Sequence, residues 1–591
     1  MDMIFHEPVR EYVYPIERNK LAVRLRVGRE CARACTIHYW NWGRKEGVNR
    51  AEMKCYARDN RFDYFEAVIT EKEAIKYFQY YFQVVDSTRE TRWLNYHGVQ
   101  DTEPEGGIFQ YNHTNEDDVY RVPAWARGAV AYQIFPERFC NGDKSNDPPG
   151  TEPWGSVPKT DRFMGGDLAG ILKKIDYIAE LGIDLVYLNP IFVAPSNHKY
   201  DTVDYMTIDP AFGDMDIFRG LVDELHRRGI RVLLDGVFNH CGYLFPPFQD
   251  VLEKGEASPY RDWFYIEDFP VDMDKVNYES FGYFSHMPRL RVSNPEVRDY
   301  ILKAGRYWIE EGDIDGWRLD VADCVDYTFW QLYRKEMKTV KPDCFLLGET
   351  WVENLDMLRG DQMDSVMNYV FRDAAVDFFA GRTIGSRTFD ARLNHFLGTY
   401  PDTAHHVLYN PLDSHDTDRF LTLCGGNKDA LKAAVAFQLC FPGMPAVYYG
   451  DEVGLDGGYD PDCRKAMEWD IRKQGAGLLS WYRDLIALRR RYMALRYGTF
   501  ACNYADGQVY GFFRAYEGER VYIAINNNDV PADITLPLQE GPGETVHDLL
   551  TGTAYRAGEN KGGYNSDIHA YAGSIKLHFE PWQICVMMKR M

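Results

Sequence analysis

Four acidic positions fall at or just beyond the ends of short apolar runs, where the side chains of a buried sheet would emerge together. Asp235 lies in RVLLDGVF (231–238), which leads into Asn239 and His240. Asp320 lies in DGWRLDVA (315–322), Glu349 ends CFLLGET (344–350), and Asp416 follows HVLYNPLD (406–413) in the triplet SHD with His415. Like charges at one rim raise one another's pKa, and a cation close by offsets the repulsion. Arg318 stands two residues before Asp320. Strand side chains two apart share a face, so a permanent positive charge sits beside that carboxylate. Arg318 is therefore expected to keep Asp320 ionised and nucleophilic, while neighbouring anions raise Glu349 into a protonated role. One ionised and one protonated carboxyl about 5 Å apart are what glycoside hydrolysis with retention of configuration requires.

Each acid taken singly reads better as a helix cap or a surface ion pair, and His240 and His415 taken singly as structural histidines. Four acids at strand ends resist that reading. Beside them the histidines read as partners for sugar hydroxyls. A His with carboxylates also opens a metal alternative, which no HExxH or HxH spacing supports.

The elements that must position these groups are legible as a change of rhythm. From Ala129 onward, short apolar strands alternate with amphipathic helices. The strands are 129–135, 184–190, 231–238, 315–322, 344–350, 365–371, 406–413 and 444–450, with helical patterns at 167–182, 216–229 and 427–439 and a closing helix at 478–492. Eight strand–helix units predict a (β/α)8 TIM barrel over 123–498, with its chemistry at the C-terminal strand ends. The stretch from His240 to Asn294 exceeds a simple loop and predicts a small insertion, about 241–294, over the barrel mouth. Period-two alternation before and after the barrel predicts an N-terminal β-sandwich over 1–122 and a C-terminal β-sandwich over 499–591.

The bulk composition narrows the partners. Asp and Glu number 89 against 67 Lys and Arg, a net charge of −22, which repels phosphate backbones and anionic lipid. The start MDMIFHEPVREYVYP has no basic segment followed by an apolar run, and no stretch reaches the ~18 apolar residues of a membrane span. The expectation is a soluble, cytoplasmic protein with no nucleic-acid or membrane partner. Twelve scattered cysteines without CxxC pairs read as reduced, mostly buried thiols.

DGVFNH (235–240), GWRLDVA (316–322), GETW (348–351) and SHD (414–416), in this order on successive strands, resemble the four principal motifs of the α-amylase superfamily, glycoside hydrolase family 13. The resemblance implies Asp320 as nucleophile, Glu349 as general acid/base and Asp416 as a third carboxylate that binds and distorts the sugar. Arg318, His240 and His415 would surround the same ring, with Tyr200 of HKYDT (198–202) stacked under it. MPRL (287–290) and the N-terminal β domain, which resembles a starch-binding-type module, point to the neopullulanase, cyclomaltodextrinase and maltogenic amylase subgroup. GGYDPDCRKAMEW (457–469) is similar too, implying that Asp460 and Arg464 bind sugar on the non-reducing side, with Trp351 toward the acceptor. Arg291, Asp323, Cys324 and Thr350 depart from the subgroup's usual residues, close to the acceptor sites.

NGDKSND (141–147) and MGGD (164–167) cluster oxygen-bearing groups. Hard cations need such cages, although Asn, Asp and Gly also make plain polar turns. The resemblance implies a structural calcium ion held by Asn141, Asp143, Asn146, Asp147, the Gly165 carbonyl and Asp167. It also implies a homodimer acting on α-1,4 bonds of cyclodextrins, pullulan and maltooligosaccharides, with α-1,6 bonds left open. Two alternatives remain at this stage: an α-glucosidase or glucosyl-transferring relative, and a non-catalytic glucan-binding protein.

Overall fold

The apolar runs of the middle of the chain form eight short parallel strands in one sheet. The computed structural model describes residues 3–43, 47–560, 562–566 and 568–589. The strands are β1 (Ala131–Ile134), β2 (Leu185–Leu188), β3 (Arg231–Gly236), β4 (Gly316–Leu319), β5 (Phe345–Gly348), β6 (Ser365–Val366), β7 (Tyr409–Pro411) and β8 (Met444–Tyr448). Their order is β6-β5-β4-β3-β2-β1-β8-β7. A parallel bridge from Met367 to Tyr409 closes the ring. This is the expected TIM barrel, and each strand lies within its predicted run.

Alternation sorts each strand into two cores. Leu185, Tyr187, Leu233, Phe345 and Leu347 face the barrel interior, while Val186, Leu188, Val232, Leu234, Trp317 and Leu319 pack outward on the helices. The same parity turns Asp235, Arg318, Asp320 and Glu349 inward at the strand ends. Register sets their height, because Asp235 pairs directly with Arg318. At the foot of β4 the interior has no room for a side chain: a Cβ on Gly316 would lie 2.0 Å from the Phe345 carbonyl oxygen.

The outer helices start on side-chain caps that satisfy their free N–H groups. Asp214 accepts from the Ile217 amide before the helix Met215–Arg227, Asp326 from Phe329 before Tyr327–Val340, and Asn427 from Asp429 before Lys428–Cys440. Between His240 and Asn294 the chain folds into a helix, Pro246–Lys254, and a set of short bridges, one of which joins His240 to Arg289.

The N-terminal strands, among them Lys20–Gly28, Ala32–Asn41 and Lys76–Asp86, are antiparallel and enclose their own apolar core. The C-terminal strands form a six-stranded and a three-stranded antiparallel sheet around another. The outer face of the larger sheet, with Tyr510 and Phe512, joins the barrel's helix layer. Among the described residues no helix is long and apolar enough to cross a membrane, and all twelve cysteines are free thiols.

Candidate active site

At the C-terminal end of the barrel one guanidinium organises three acids. Arg318 is fully buried. Its Nη1 donates to Asp320 Oδ1 at 2.8 Å and to Asp235 Oδ1 at 2.9 Å. Its Nη2 lies 2.8 Å from Glu349 Oε1, an ion pair out of line for a hydrogen bond, so Asp320 receives the better-directed contact. Glu349 Oε2 accepts the Val321 amide at 2.8 Å. That amide is presented by a left-handed backbone, with Val321 at φ 45°, a conformation that costs a β-branched residue about 1–3 kcal/mol. Asp320 Oδ2 is buried and has no hydrogen-bond partner among the described residues.

One cation cannot neutralise three buried carboxylates, and the electrostatics follow from that. Burial pushes Glu349 up to about 7, with Arg318 pulling down and Asp416 adding to the rise. Burial likewise pushes Asp320 well above the carboxylate range against the pull of Arg318, with Glu349 and Asp235 adding to the rise. Arg318 thus pulls Asp320 toward its charged form, as expected, while burial and the neighbouring acids pull the other way, and the cluster titrates as a unit.

Asp416 goes the other way. Burial opposes its charge, but His415 and Arg464 outweigh it and lower the pKa. His415 Nε2 lies 3.0 Å from Asp416 Oδ2, and Arg464 Nη2 donates to Asp416 Oδ1 at 3.1 Å. Arg464 Nη1 also lies 3.0 Å from Asp460 Oδ1. Burial lowers His415 to about 3, so the ring is neutral. Gln133 Nε2 donates to its Nδ1 at 2.8 Å, which leaves the proton on Nε2, facing Asp416 and Tyr200.

Tyr200 is parallel to His415 at 5.4 Å, and its hydroxyl donates to Asp235 Oδ2 at 2.8 Å. Burial also lowers His240 to about 3; its ring stacks on Phe281 at 4.8 Å, and its Nε2 has no partner among the described residues. Trp351 is 45% exposed and lies flat on Tyr369 at 4.1 Å.

The ten residues expected to act on substrate thus form three linked groups: Asp320, Glu349 and Arg318; Asp416, His415, Tyr200, Arg464 and Asp460; and His240 and Trp351 flanking them. Sequence reasoning missed Gln133, Tyr187 and Phe281. Gln133 and Tyr187 carried a signal, being polar groups at inward positions of apolar strands; Tyr187 donates to Asp235 Oδ2 at 2.5 Å. Phe281 carried none. Of the departures, Asp323 and Cys324 are exposed on the turn after Asp320. The Cys324 carbonyl accepts from Arg289 at 2.7 Å, and Arg291 lies over the Tyr265 ring at 4.7 Å. Thr350 is buried, with its hydroxyl unpartnered among the described residues.

The loop 141–147 closes on Gly165 and Asp167. Asn141 Nδ2 donates to Asp147 Oδ1 at 2.8 Å, and a Cβ on Gly165 would meet both side chains. The side-chain oxygens of Asn141 and Asn146 are buried without partners among the described residues. Asp167 is engaged, accepting the amides of Gly142, Asp143 and Gly170. Asp143 caps a turn by accepting from Ser145. Among the described residues no group of three or more His, Cys, Asp or Glu side chains is arranged to hold a metal ion, so the oxygens on offer are mainly amide and carbonyl.

Comparison with known proteins identifies the family. The α-amylase catalytic domain pattern matches residues 133–496. The chain belongs to the α-amylase family. As a member it is a glycoside hydrolase, and the family's N-terminal Ig-like domain matches residues 1–115. The chain is 44% identical to neopullulanase 2 of Thermoactinomyces vulgaris, over 99% of this chain and 98% of that protein. It is 44% identical to a cyclomaltodextrinase of Thermoanaerobacter pseudethanolicus, over 91% and 95%. Among solved structures, a cyclomaltodextrinase superposes on this family member with a TM-score of 0.93 at 39% identity, covering 100% of both chains.

Proposed function

We propose that this enzyme hydrolyses α-1,4 bonds, and α-1,6 bonds where they occur, in cyclodextrins, pullulan and maltooligosaccharides by double displacement. The observation that carries the reading is the single buried Arg318 spanning Asp320 and Glu349. It suits the roughly 5 Å separation of carboxyls in retaining enzymes. Asp320 is the nucleophile: Arg318 holds one oxygen and the other is free to attack the anomeric carbon. Glu349 carries the shared proton, because its contact with Arg318 is the less directed, and gives it to the leaving oxygen. It then takes a proton from the water that opens the glycosyl-enzyme.

Asp416, kept ionised by His415 and Arg464, binds sugar hydroxyls and favours the distorted ring. Tyr200, His240 and His415 line the same ring, Asp460 and Arg464 the non-reducing side, and Trp351 the acceptor side. The names of the relatives support the substrate class. The test is to incubate wild type and Asp320→Asn with β-cyclodextrin, pullulan and starch and to identify the products. The wild type is expected to release maltose or panose and to prefer cyclodextrin to starch, and the variant to lose roughly 10⁴-fold in rate. Turnover surviving in the variant overturns the mechanism, and glucose as the sole product indicates an α-glucosidase.

We also propose a structural calcium ion at the loop 141–147, held by Asn141, Asn146, Asp147 and the Gly165 carbonyl, with Asp143 and Asp167 completing an all-oxygen set. The buried, unpartnered amide oxygens support this reading, and the ion would pin the loop that follows β1. Chelation is expected to lower the melting temperature; an unchanged melting curve overturns the site. Exposed aromatics on the N-terminal domain, Trp42, Tyr77 and Tyr96, support a homodimer contact there, and we place the enzyme in the cytoplasm.

A further inference from the structure

Beside Asp416, four polar side chains close into a hydrogen-bonded circuit. Gln133 Nε2 lies 2.8 Å from His415 Nδ1 and 3.0 Å from Asn189 Oδ1. Asn189 Nδ2 lies 2.9 Å from the Tyr200 hydroxyl, and that hydroxyl lies 2.5 Å from His415 Nε2.

The strands of the barrel bring these groups together. Gln133 stands on β1 two residues after the inward-facing Ala131 and pairs in register with Tyr187 of β2. Asn189 continues the inward parity of Leu185 and Tyr187 just past β2, and His415 follows β7. Gln133, Asn189 and His415 are each at most 1% exposed, so water does not compete for these bonds.

Asp235 sets the direction of every hydrogen in the circuit. Arg318 and the hydroxyls of Tyr187 and Tyr200 all donate to that acid. With its hydrogen given to Asp235, the Tyr200 oxygen accepts from its other neighbours. Asn189 therefore turns its amide nitrogen to Tyr200 and its carbonyl oxygen to Gln133. Gln133 must meet that oxygen with its NH2 group, whose second hydrogen falls on His415 Nδ1. Nδ1 is thus held as an acceptor, and the one proton of the neutral ring stays on Nε2. The Tyr200 oxygen demands the same proton from the other side, so both ways round the circuit agree.

The order matters because of what lies next to Nε2. Asp416 Oδ2 is 3.0 Å away, with a hydrogen between the two atoms. In the other tautomer a lone pair would face the carboxylate, and Asp416 would keep only Arg464 of its two partners. Protonating both nitrogens offers no way out, since burial holds the ring neutral, with a value of about 3.

We propose that Gln133, fixed by Asn189, is a positioning residue that locks the tautomer of His415 and so keeps the Nε2 hydrogen directed at Asp416. The effect expected on turnover rests on the α-glucan reading above; the tautomer itself does not.

The test has two arms. The first reads the tautomer by ring-nitrogen NMR of enzyme carrying isotope-labelled histidine, the His415 signals being those lost in His415→Asn. Wild type is expected to show a protonated Nε2 and a bare Nδ1, and Gln133→Met a mixture of tautomers. Asn189→Leu, which frees Gln133 to turn over, is the second variant and is expected to mix the tautomers too. A protonated Nδ1 in the wild type, or an unchanged tautomer in either folded variant, overturns the ordering. The second arm is a double-mutant cycle on β-cyclodextrin turnover. Gln133→Met is expected to lower kcat about tenfold with KM within about twofold. It should add little once His415→Asn is present, because a residue that acts through another is silent without it. Equal losses in both backgrounds would mean a general structural role and overturn the positioning role. A wild type that shows the expected tautomer but does not turn over β-cyclodextrin upholds the ordering and counts against the α-glucan reading alone.

Discussion

Two sites in this molecule place one cation between carboxylates from different elements, yet their acids shift in opposite directions. At the barrel mouth Arg318 serves Asp235, Asp320 and Glu349 almost wholly shielded from water, and burial raises Glu349 to about 7. At the domain junction His395, with its side chain 47% exposed, serves only Asp59 and Glu353. Asp59 is itself buried, but the hydrogen bonds from His395 and the backbone amides outweigh the loss of water, lowering it to about 2. Hydrogen bonds to Asp59 and Glu353 in turn raise His395 to about 9. Surplus negative charge without solvent retains protons and is suited to chemistry. A set nearer to balance, with its cation half exposed and each acid held by further hydrogen-bond donors, keeps its charges and acts as a tether.

The comparison breaks most sharply at Arg318. Arg318→Met removes the cation that spans the barrel acids and is expected to reduce kcat/KM roughly 10³-fold. It should also destabilise the fold by about 3–5 kcal/mol, through acids left buried and unpaired. Rate assays and urea unfolding measure both, and a rate within tenfold of wild type would show that the acids organise themselves.

The pH profile sharpens it next. Glu349 must carry a proton to act as the acid, and with a value of about 7 the proton is present below neutrality and lost above it. Activity on oligosaccharides is expected to fall about tenfold per pH unit above that point. The residual rate of Glu349→Gln should lack this limb, and an alkaline limb persisting in that variant would assign the proton elsewhere.

The smallest effect belongs to the tether. Because the folded value of His395 lies above the ordinary 6.5, its stabilisation is full below about pH 6.5 and is lost as pH rises through about 9. Calorimetric melting should place His395→Gln about 1–2 °C below wild type at pH 6, with the gap closing above pH 9. A gap that stays constant with pH would mean that the imidazole packs and does not pair.

The sequence by itself determined the barrel, its strand order along the chain, and the identity of the acids, because each rests on local rules. Alternation with period two says which way Arg318 and Asp320 point, and an apolar run ending in an acid says where a buried strand opens. The flanking β domains were legible by the same alternation. Tertiary structure alone decided the rest. The balance at Asp320 between burial and neighbouring acids on one side and Arg318 on the other is a sum over strands far apart in the chain. Asp167 is engaged by the amides of Gly142 and Asp143, which only the closed loop brings to it. His395 meets Asp59 across 336 positions, with no motif to announce it. Spacing reports direction along one strand; desolvation and charge balance depend on everything packed around a group, and only the folded chain assembles that.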